Sequence, residues 1–181
     1  MAEGLRCEER YGIFEPCLHR NLLWQLTDRK TQRIDYGDTV PSWSWMTCTG
    51  PVKYSKIHWR EPVLNINLAF HKTRKDALEA DLGGLVDCAL MLERDDYAFI
   101  DSTGADVGWL KLDVKDDESM NAALHCVVVL RYNRGSYSSD PLEYWFIAVV
   151  PTGTENEYKR IGLGVAECRF IVKVQNSVRI V

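Results

Sequence analysis

The chain has 181 residues, of which 46% are hydrophobic and 27% are charged, and its formal net charge at pH 7 is −4. This composition is typical of a soluble globular protein of one domain, and it excludes collagen, coiled coil and intrinsic disorder. The longest apolar run, Tyr144 to Val150, is much shorter than the roughly 20 residues that a membrane-spanning helix requires, so we predict no contact with a membrane.

Two features predict an intracellular protein. The amino-terminal residues carry charges of both signs and no apolar run, unlike a secretory signal. The six cysteines lie at wide, irregular spacings without a C-x-x-C pair, which favours reduced thiols over disulfides or a zinc site. We therefore expect a cytoplasmic protein. As for domain organisation, we predict a single β-rich domain over 1–181, in which residues 1–15 form an irregular arm.

The charge is distributed unevenly along the chain. Residues 1–75 contain 12 Lys/Arg against 8 Asp/Glu, residues 76–118 contain 3 against 13, and residues 119–181 contain 7 against 5. Solvated loops and strand edges explain the acidic middle, and a calcium site or a patch for a basic partner is the alternative. No D-x-[DN]-x-[DN]-G loop is present, and the negative charge argues against nucleic acid as a partner.

The first predicted element is a helix over residues 16–26. Leu18, Leu22 and Leu26 recur every four residues, and Pro16 suits the first turn of a helix. Beyond this segment the apolar residues recur every second residue instead, which predicts β-strands.

Alternation predicts half-buried strands in three segments, 64–70, 86–92 and 168–174. The segment 72–80 is strongly charged, so we predict a solvated helical turn or an excursion there.

Two nearly continuous apolar runs, His125–Tyr132 and Tyr144–Val150, predict central strands that are covered on both faces. The turn-prone residues 151–157 predict a reversal into a strand that begins near Tyr158, and 178–181 a short last strand. The predicted fold is therefore mainly β: an antiparallel β-barrel or sandwich of about seven to nine strands with one or two short helices.

The common signatures of catalysis are missing from the sequence. It contains no G-x-S-x-G elbow, no phosphate loop and no H-E-x-x-H helix. Gly162 and Gly164 begin like a dinucleotide fingerprint, but Glu167 replaces its third glycine. The four histidines are too far apart for metal-ligand spacing, and His125 is predicted to be packed and hydrogen-bonded. We therefore expect no metal and no cofactor.

The segment Val40–Met46, with sequence VPSWSWM, is the most unusual local feature. Pro41 favours an extended conformation for the residue before it, and in an extended segment Trp43 and Trp45 project to the same face. These indoles are predicted to close the core or, with Trp24, Tyr54, His58 and Trp59 as neighbours, to form the aromatic wall of a ligand pocket.

Four blocks of sequence follow one another along the chain: Leu18–Trp24 (LHRNLLW), Pro41–Tyr54 with PSWSW and GPVKY, Gly108–Asp113 (GWLKLD) and Tyr158–Gly164 (YKRIGLG). In this order they resemble the region that follows the effector domain in fungal heterokaryon-incompatibility (HET domain) proteins. The tryptophan block is the most specific of the four, although residues 46–49 depart from the family pattern.

The resemblance implies a fungal origin and a β-rich module. It implies no reaction, because these 181 residues contain no counterpart of the HET effector domain, to which the cell-death activity belongs. No catalytic residue of the family maps onto the chain.

Two main functional hypotheses follow. In the first, the chain is a stand-alone module, similar to the region after the HET domain, that binds a protein partner or an apolar ligand; a homodimer is compatible with it. In the second, the chain is a cofactor-independent isomerase or cyclase that acts on a hydrophobic small molecule in fungal specialised metabolism. An inactive remnant is the third alternative.

Each hypothesis predicts particular residues. For the enzyme, His58, His19 and Asp96 are predicted acids or bases, and Tyr54 a hydrogen-bond donor to a carbonyl. A ligand would lie in a cavity of roughly 300 Å³ or more. The interaction module predicts an exposed apolar patch or an unpaired strand edge instead. The predicted ligand-binding residues are Trp24, Trp43, Trp45, Tyr54 and Trp59.

Overall fold

Fourteen β-strands and one short α-helix make up most of the regular structure in a computed structural model, which describes residues 7–28, 32–37, 39–55, 57, 63–65, 67–114, 123–133 and 142–181. Six of these strands have only two or three residues. The other eight have six residues or more, and their number lies within the predicted range of seven to nine. The strands are β1 (Glu9–Arg10), β2 (Ile13–Phe14), β3 (Trp24–Leu26), β4 (Val52–Tyr54), β5 (Val63–Leu64), β6 (Ala69–Phe70), β7 (Leu78–Leu85), β8 (Cys88–Glu93), β9 (Asp96–Asp101), β10 (Asp106–Leu112), β11 (His125–Asn133), β12 (Leu142–Pro151), β13 (Glu157–Glu167) and β14 (Ile171–Ile180), and the helix is α1 (Leu18–Asn21).

Ten of these strands form the main sheet, in the order β12-β11-β7-β14-β13-β10-β9-β8, with β5 on β11 and β6 on β7. Strand β12 also pairs with β13, so the sheet curls back on itself into an incompletely closed barrel. The described pairings are antiparallel except the short one between β13 and β14. The predicted mainly antiparallel β architecture is confirmed.

The central strands are covered on both faces, as their continuous apolar runs predict. In β12, Ile147 and Val149 face one hydrophobic cluster, while Phe146, Ala148 and Val150 face another. The turn after β12 leads directly into β13, as predicted for residues 151–157. Burial on both faces explains why the alternation of apolar and polar residues disappears in these runs.

The predicted helix over 16–26 is too long. A 3₁₀ turn (Glu15–Cys17) leads into α1, which ends at Asn21, and residues 24–26 form β3 instead. Strand β3 pairs with β4 in a two-stranded sheet, which places Leu26 in the core from a strand. The four-residue leucine spacing is therefore shared between two elements.

Three other boundaries differ from the predictions. Within 72–80, residues from Leu78 onward belong to β7, because Leu78 and Ala80 are buried in the core. Residues 168–170 form a 3₁₀ turn, and β14 then continues to Ile180, so the predicted last strand is its end. Within the predicted irregular arm, β1 and β2 form a small hairpin that buries Ile13.

Two predicted alternating segments are interrupted. The run from Leu64 to Phe70 is divided into β5 and β6. Strand β8 begins only at Cys88, after Asp87 adopts a positive φ of 54° in the preceding bend. The alternation predicts a buried Leu92, but its side chain is exposed, because β8 is the last strand of the main sheet and no described strand pairs with its outer edge.

The two indoles of PSWSW do not share a face, contrary to prediction. Trp43 is 0% exposed, whereas Trp45 is 36% exposed and begins a 3₁₀ helix, Trp45–Thr47. Ser44 causes this change of direction, since its Oγ accepts a hydrogen bond from Met46 N at 3.2 Å and donates to Tyr11 O at 3.0 Å. A serine cap therefore replaces the extended conformation.

Gly164 lets β12 and β13 pack closely. A Cβ at this position would lie 2.4 Å from Cζ of Phe146, a fully buried ring. We expect Gly164→Ala to lower the free energy of unfolding by about 1–3 kcal/mol, because the ring must shift within a packed core. Urea denaturation measures the change. In a Phe146→Leu background the cost of Gly164→Ala should fall, and equal costs in both backgrounds would contradict the packing argument.

Candidate functional site

A buried ion pair joins the main sheet to the amino-terminal elements. Arg160 on β13 and Asp113 after β10 are both buried, and the Arg160 Nε and Nη2 groups donate to the Asp113 carboxylate at 2.9 and 3.1 Å. Arg160 also donates to Leu22 O at 2.6 Å and to Trp24 O at 2.9 Å, and its guanidinium lies 3.6 Å from the Trp24 ring centroid. The charge is neutralised and shielded from solvent, so the pair is suited to structure and not to binding.

All four blocks of sequence contribute to this buried cluster. The first supplies Trp24, the third Asp113 and the fourth Arg160. From the second block, Ser42 accepts a hydrogen bond from Arg160 N at 2.7 Å, and Trp43 O accepts one from Trp24 Nε1 at 3.0 Å. Residues far apart in sequence are therefore held together by one set of hydrogen bonds.

A polar cleft of about 770 Å³ lies beside the turn between β12 and β13. Arg74 donates to Asp76 Oδ2 at 2.5 Å and to Glu157 Oε2 at 2.8 Å. The hydrogen bonds from Arg74 hold the pKa of Asp76 below its usual value. Arg74 is therefore paired with two carboxylates of the cleft, Asp76 and Glu157.

A second concavity, which we call the fork groove, has a volume of about 370 Å³. It lies where the neighbours of β11 separate, since β11 pairs with β7 at Cys126 and with β5 at Leu130 and Arg131. Asn65 closes this fork, because its Nδ2 donates to Val128 O at 2.6 Å. The residues around the groove are Val63, Leu64, Asn65, Asp81, Leu82, Gly83, Val128, Arg131, Tyr144, Ile171, Val172 and Lys173.

The outer edge of β8 is a third candidate. Among the described residues β8 pairs only with β9, and it is the last strand of the main sheet. Met91 is 56% exposed and Leu92 is 66% exposed. An unpaired edge that also presents large apolar side chains is a surface on which another strand can pair.

Four of the predicted ligand-binding residues, Trp24, Trp43, Trp45 and Tyr54, line neither the fork groove nor the polar cleft. Trp24 is buried under Arg160, and Trp43 packs edge-on against Tyr11 with the ring centroids 5.7 Å apart. Tyr54 pairs with Trp24 across β3 and β4 and is partly exposed, and burial raises the pKa of its hydroxyl. Trp45 lies against Gly12.

The predicted acids and bases are not brought together within the described part of the chain. His19 on α1 donates through Nε2 to Asn65 O at 2.7 Å, so it supports a residue of the fork groove. Asp96 begins β9 and is exposed beside the hairpin. No hydrogen bond or ion pair between described residues joins His19, Asp96 and Tyr54, and His58 and Trp59 lie outside the described residues.

The cysteines provide no activated nucleophile among the thiols with shifted pKa values. All six are free. Burial raises the pKa of Cys48, Cys88 and Cys168, and it raises the pKa of Cys126 to about 12. These groups are protonated at neutral pH, whereas a cysteine nucleophile reacts as the thiolate.

His125 is packed, as predicted, but one of its two ring nitrogens lacks a hydrogen bond to any described residue. Its ring packs edge-on against Tyr158, with the centroids 5.6 Å apart, and its buried Nδ1 has no hydrogen-bond partner in the described part of the chain. The described residues contain no group of three or more His, Cys, Asp or Glu side chains placed to hold a metal ion. None of the described helices is both long and apolar enough to cross a membrane.

Comparison of the chain with protein-family models, curated proteins and solved structures gave no match. The fork groove and the β8 edge are therefore the surfaces from which a function is inferred.

Proposed function

We propose that the chain is an interaction module that binds an extended, basic segment of a protein partner along the outer edge of β8. The observation that carries this proposal is the unpaired edge of β8 with its exposed Met91 and Leu92. A partner strand would continue the sheet through main-chain hydrogen bonds, and its side chains would contact Met91 on one face of the sheet and Leu92 on the other. We propose the cytoplasm as its location.

The charge around the edge selects the partner's chemistry. Residues 87–96 contain four acidic side chains and one basic one, Arg94. A basic segment is attracted to this surface, and a second copy of the same edge would be repelled by it. Binding between two copies would therefore use another surface, and the homodimer stays a prediction.

Selection of peptides from a random heptapeptide library on the wild-type protein tests this proposal. We expect enrichment of sequences that alternate β-branched residues with Lys or Arg, and we expect the bound peptide to protect β8 amides from hydrogen exchange. The double substitution Met91→Lys and Leu92→Lys should weaken binding by about tenfold or more, because it adds repulsive charge and removes apolar contact.

A control is Val174→Lys, which adds one lysine, against the two of the β8 variant, at an exposed aliphatic position on β14. This variant should bind the selected peptides as the wild type does. Failure to enrich any peptide would overturn the proposal, as would equal binding to the β8 variant or protection confined to other strands.

We also propose that the chain is related to the region that follows the HET domain, and hence fungal. The proposal is supported by the way the four blocks contribute to one cluster around Arg160, since a shared set of buried hydrogen bonds would require these residues together. A structure of that region from a HET domain protein tests it. A fold without an equivalent buried Arg–Asp pair beside a tryptophan would rule it out.

The isomerase or cyclase alternative stays a prediction. Its described acid-base residues lie on three separate elements: His19 on α1, Tyr54 on β4 and Asp96 on β9. The interaction module is favoured because the β8 edge is a specific feature that binding would explain.

A further inference from the structure

The fork groove has apolar walls and a polar end, and the β8 edge does not account for it. Leu82, Val128 and Ile171 line it together with the exposed side chains of Val63 and Val172. Its volume of about 370 Å³ lies within the usual range for small-molecule sites, roughly 300–1,000 Å³. These walls would bury a short aliphatic or aromatic body.

The polar end of the fork groove is formed by residues that lie side by side on three neighbouring strands. Arg131 on β11 lies between Val63 on β5 and Tyr144 on β12, with which it is in register on either side. Side chains that are directly opposite in this way project to the same face, about 5 Å apart at Cβ. The Arg131 guanidinium and the Tyr144 hydroxyl are therefore near one another at the groove.

Arg131 differs from the other cation of the groove in its ion pairing. The other cation, Lys173, forms an ion pair with Asp81 at 2.7 Å, and Asn67 also donates to that carboxylate at 2.7 Å. No ion pair joins Arg131 to another described residue. The charge at this end of the groove is therefore complementary to an anion.

We propose that the fork groove binds an apolar small molecule that carries one carboxylate, with the carboxylate at Arg131 and Tyr144. Arg131 presents paired N–H donors of the geometry that a carboxylate accepts. Tyr144 is hydrogen-bonded to the thiol of Cys168, a weak acceptor that a carboxylate would replace. Burial raises the pKa of Tyr144, which keeps its hydroxyl protonated and able to donate.

Calorimetric titration with decanoate, decanol and decylamine tests this inference. These probes share one alkyl chain and differ in the charge of the head group. We expect decanoate to bind about tenfold or more tightly than decanol, because only the carboxylate gains charged hydrogen bonds, and decylamine to bind most weakly. Arg131→Gln should abolish the preference for decanoate and leave the affinity for decanol unchanged.

Three further variants make the result specific. Arg94→Gln makes the same change in the turn between β8 and β9 and should leave decanoate binding as in the wild type. Val172→Trp should fill the groove and weaken both decanoate and decanol, with the circular dichroism spectrum of the folded protein retained. Met91→Lys with Leu92→Lys should retain decanoate binding, which separates this site from the peptide edge.

Equal affinities for decanoate and decanol would overturn the inference. It would also be overturned if Arg131→Gln kept the preference, if Val172→Trp left both affinities unchanged, or if no probe bound below its micelle-forming concentration.

Discussion

Replacing Arg160 with methionine is expected to lower the free energy of unfolding by about 3–5 kcal/mol, because Asp113 would be left as an unpaired charge in the interior. Both side chains are almost completely inaccessible, at 0% and 2% exposure. The carbonyl groups of Leu22 and Trp24 would lose their donors in the same step. Urea denaturation followed by far-ultraviolet circular dichroism measures the loss.

The double variant Arg160→Met and Asp113→Leu distinguishes a lost ion pair from lost packing. Removal of both charges leaves no buried ion without a partner, so the double variant should be more stable than Arg160→Met alone. Arg169→Met is the matched control, since Arg169 forms an ion pair with Glu167 but is largely exposed, and it should cost about 1 kcal/mol or less. A double variant less stable than Arg160→Met would contradict this account.

The parts of the fold that could be predicted are those that local pattern determines. Continuous apolar runs predict β11 and β12 because a strand buried on both faces needs no polar side chain. The polar turn at 151–157 predicts the hairpin into β13 because the two strands are adjacent in sequence. In both cases the pattern that predicts the element is contained in a few consecutive residues.

The elements that were mispredicted depend on neighbours from elsewhere in the chain. Leu26 keeps helical spacing with Leu22, yet it lies in β3 because β4 offers it a pairing partner. Leu92 continues an apolar alternation, but none of the described strands pairs with β8 on its outer side. Propensity and periodicity do not contain this information, since tertiary contacts decide which strand lies at an edge.

The candidate sites also differ in how far the sequence could predict them. Arg160 and Asp113 lie inside blocks that resemble the HET-associated region, so the sequence contained a signal for their joint importance although not for their contact. The fork groove had no such signal. It arises because β11 changes partner from β7 to β5, and Arg131 and Tyr144 become neighbours only through the register of β11 with β12.

The two indoles that appear equivalent in PSWSW are expected to differ strongly in their effect on stability. Trp43→Ala should lower the free energy of unfolding by about 3–5 kcal/mol, because it empties a large volume in the core. The Trp43 ring is fully buried, packs against Tyr11 and Phe70, and donates from Nε1 to Asp76 O at 3.2 Å. Trp45→Ala should cost about 1 kcal/mol or less, since Trp45 is partly exposed and lies against Gly12.

Urea denaturation of both variants measures this difference, and Trp43→Phe provides an intermediate. Phenylalanine retains part of the ring but loses the hydrogen bond to Asp76 O, so its cost should lie between those of the two alanine variants. Because Ser44 sets the direction of the chain between the indoles, Ser44→Ala should make the Trp45→Ala and Trp43→Ala costs more alike. Equal losses for Trp43→Ala and Trp45→Ala in the native background would instead support the extended segment in which both indoles face inward.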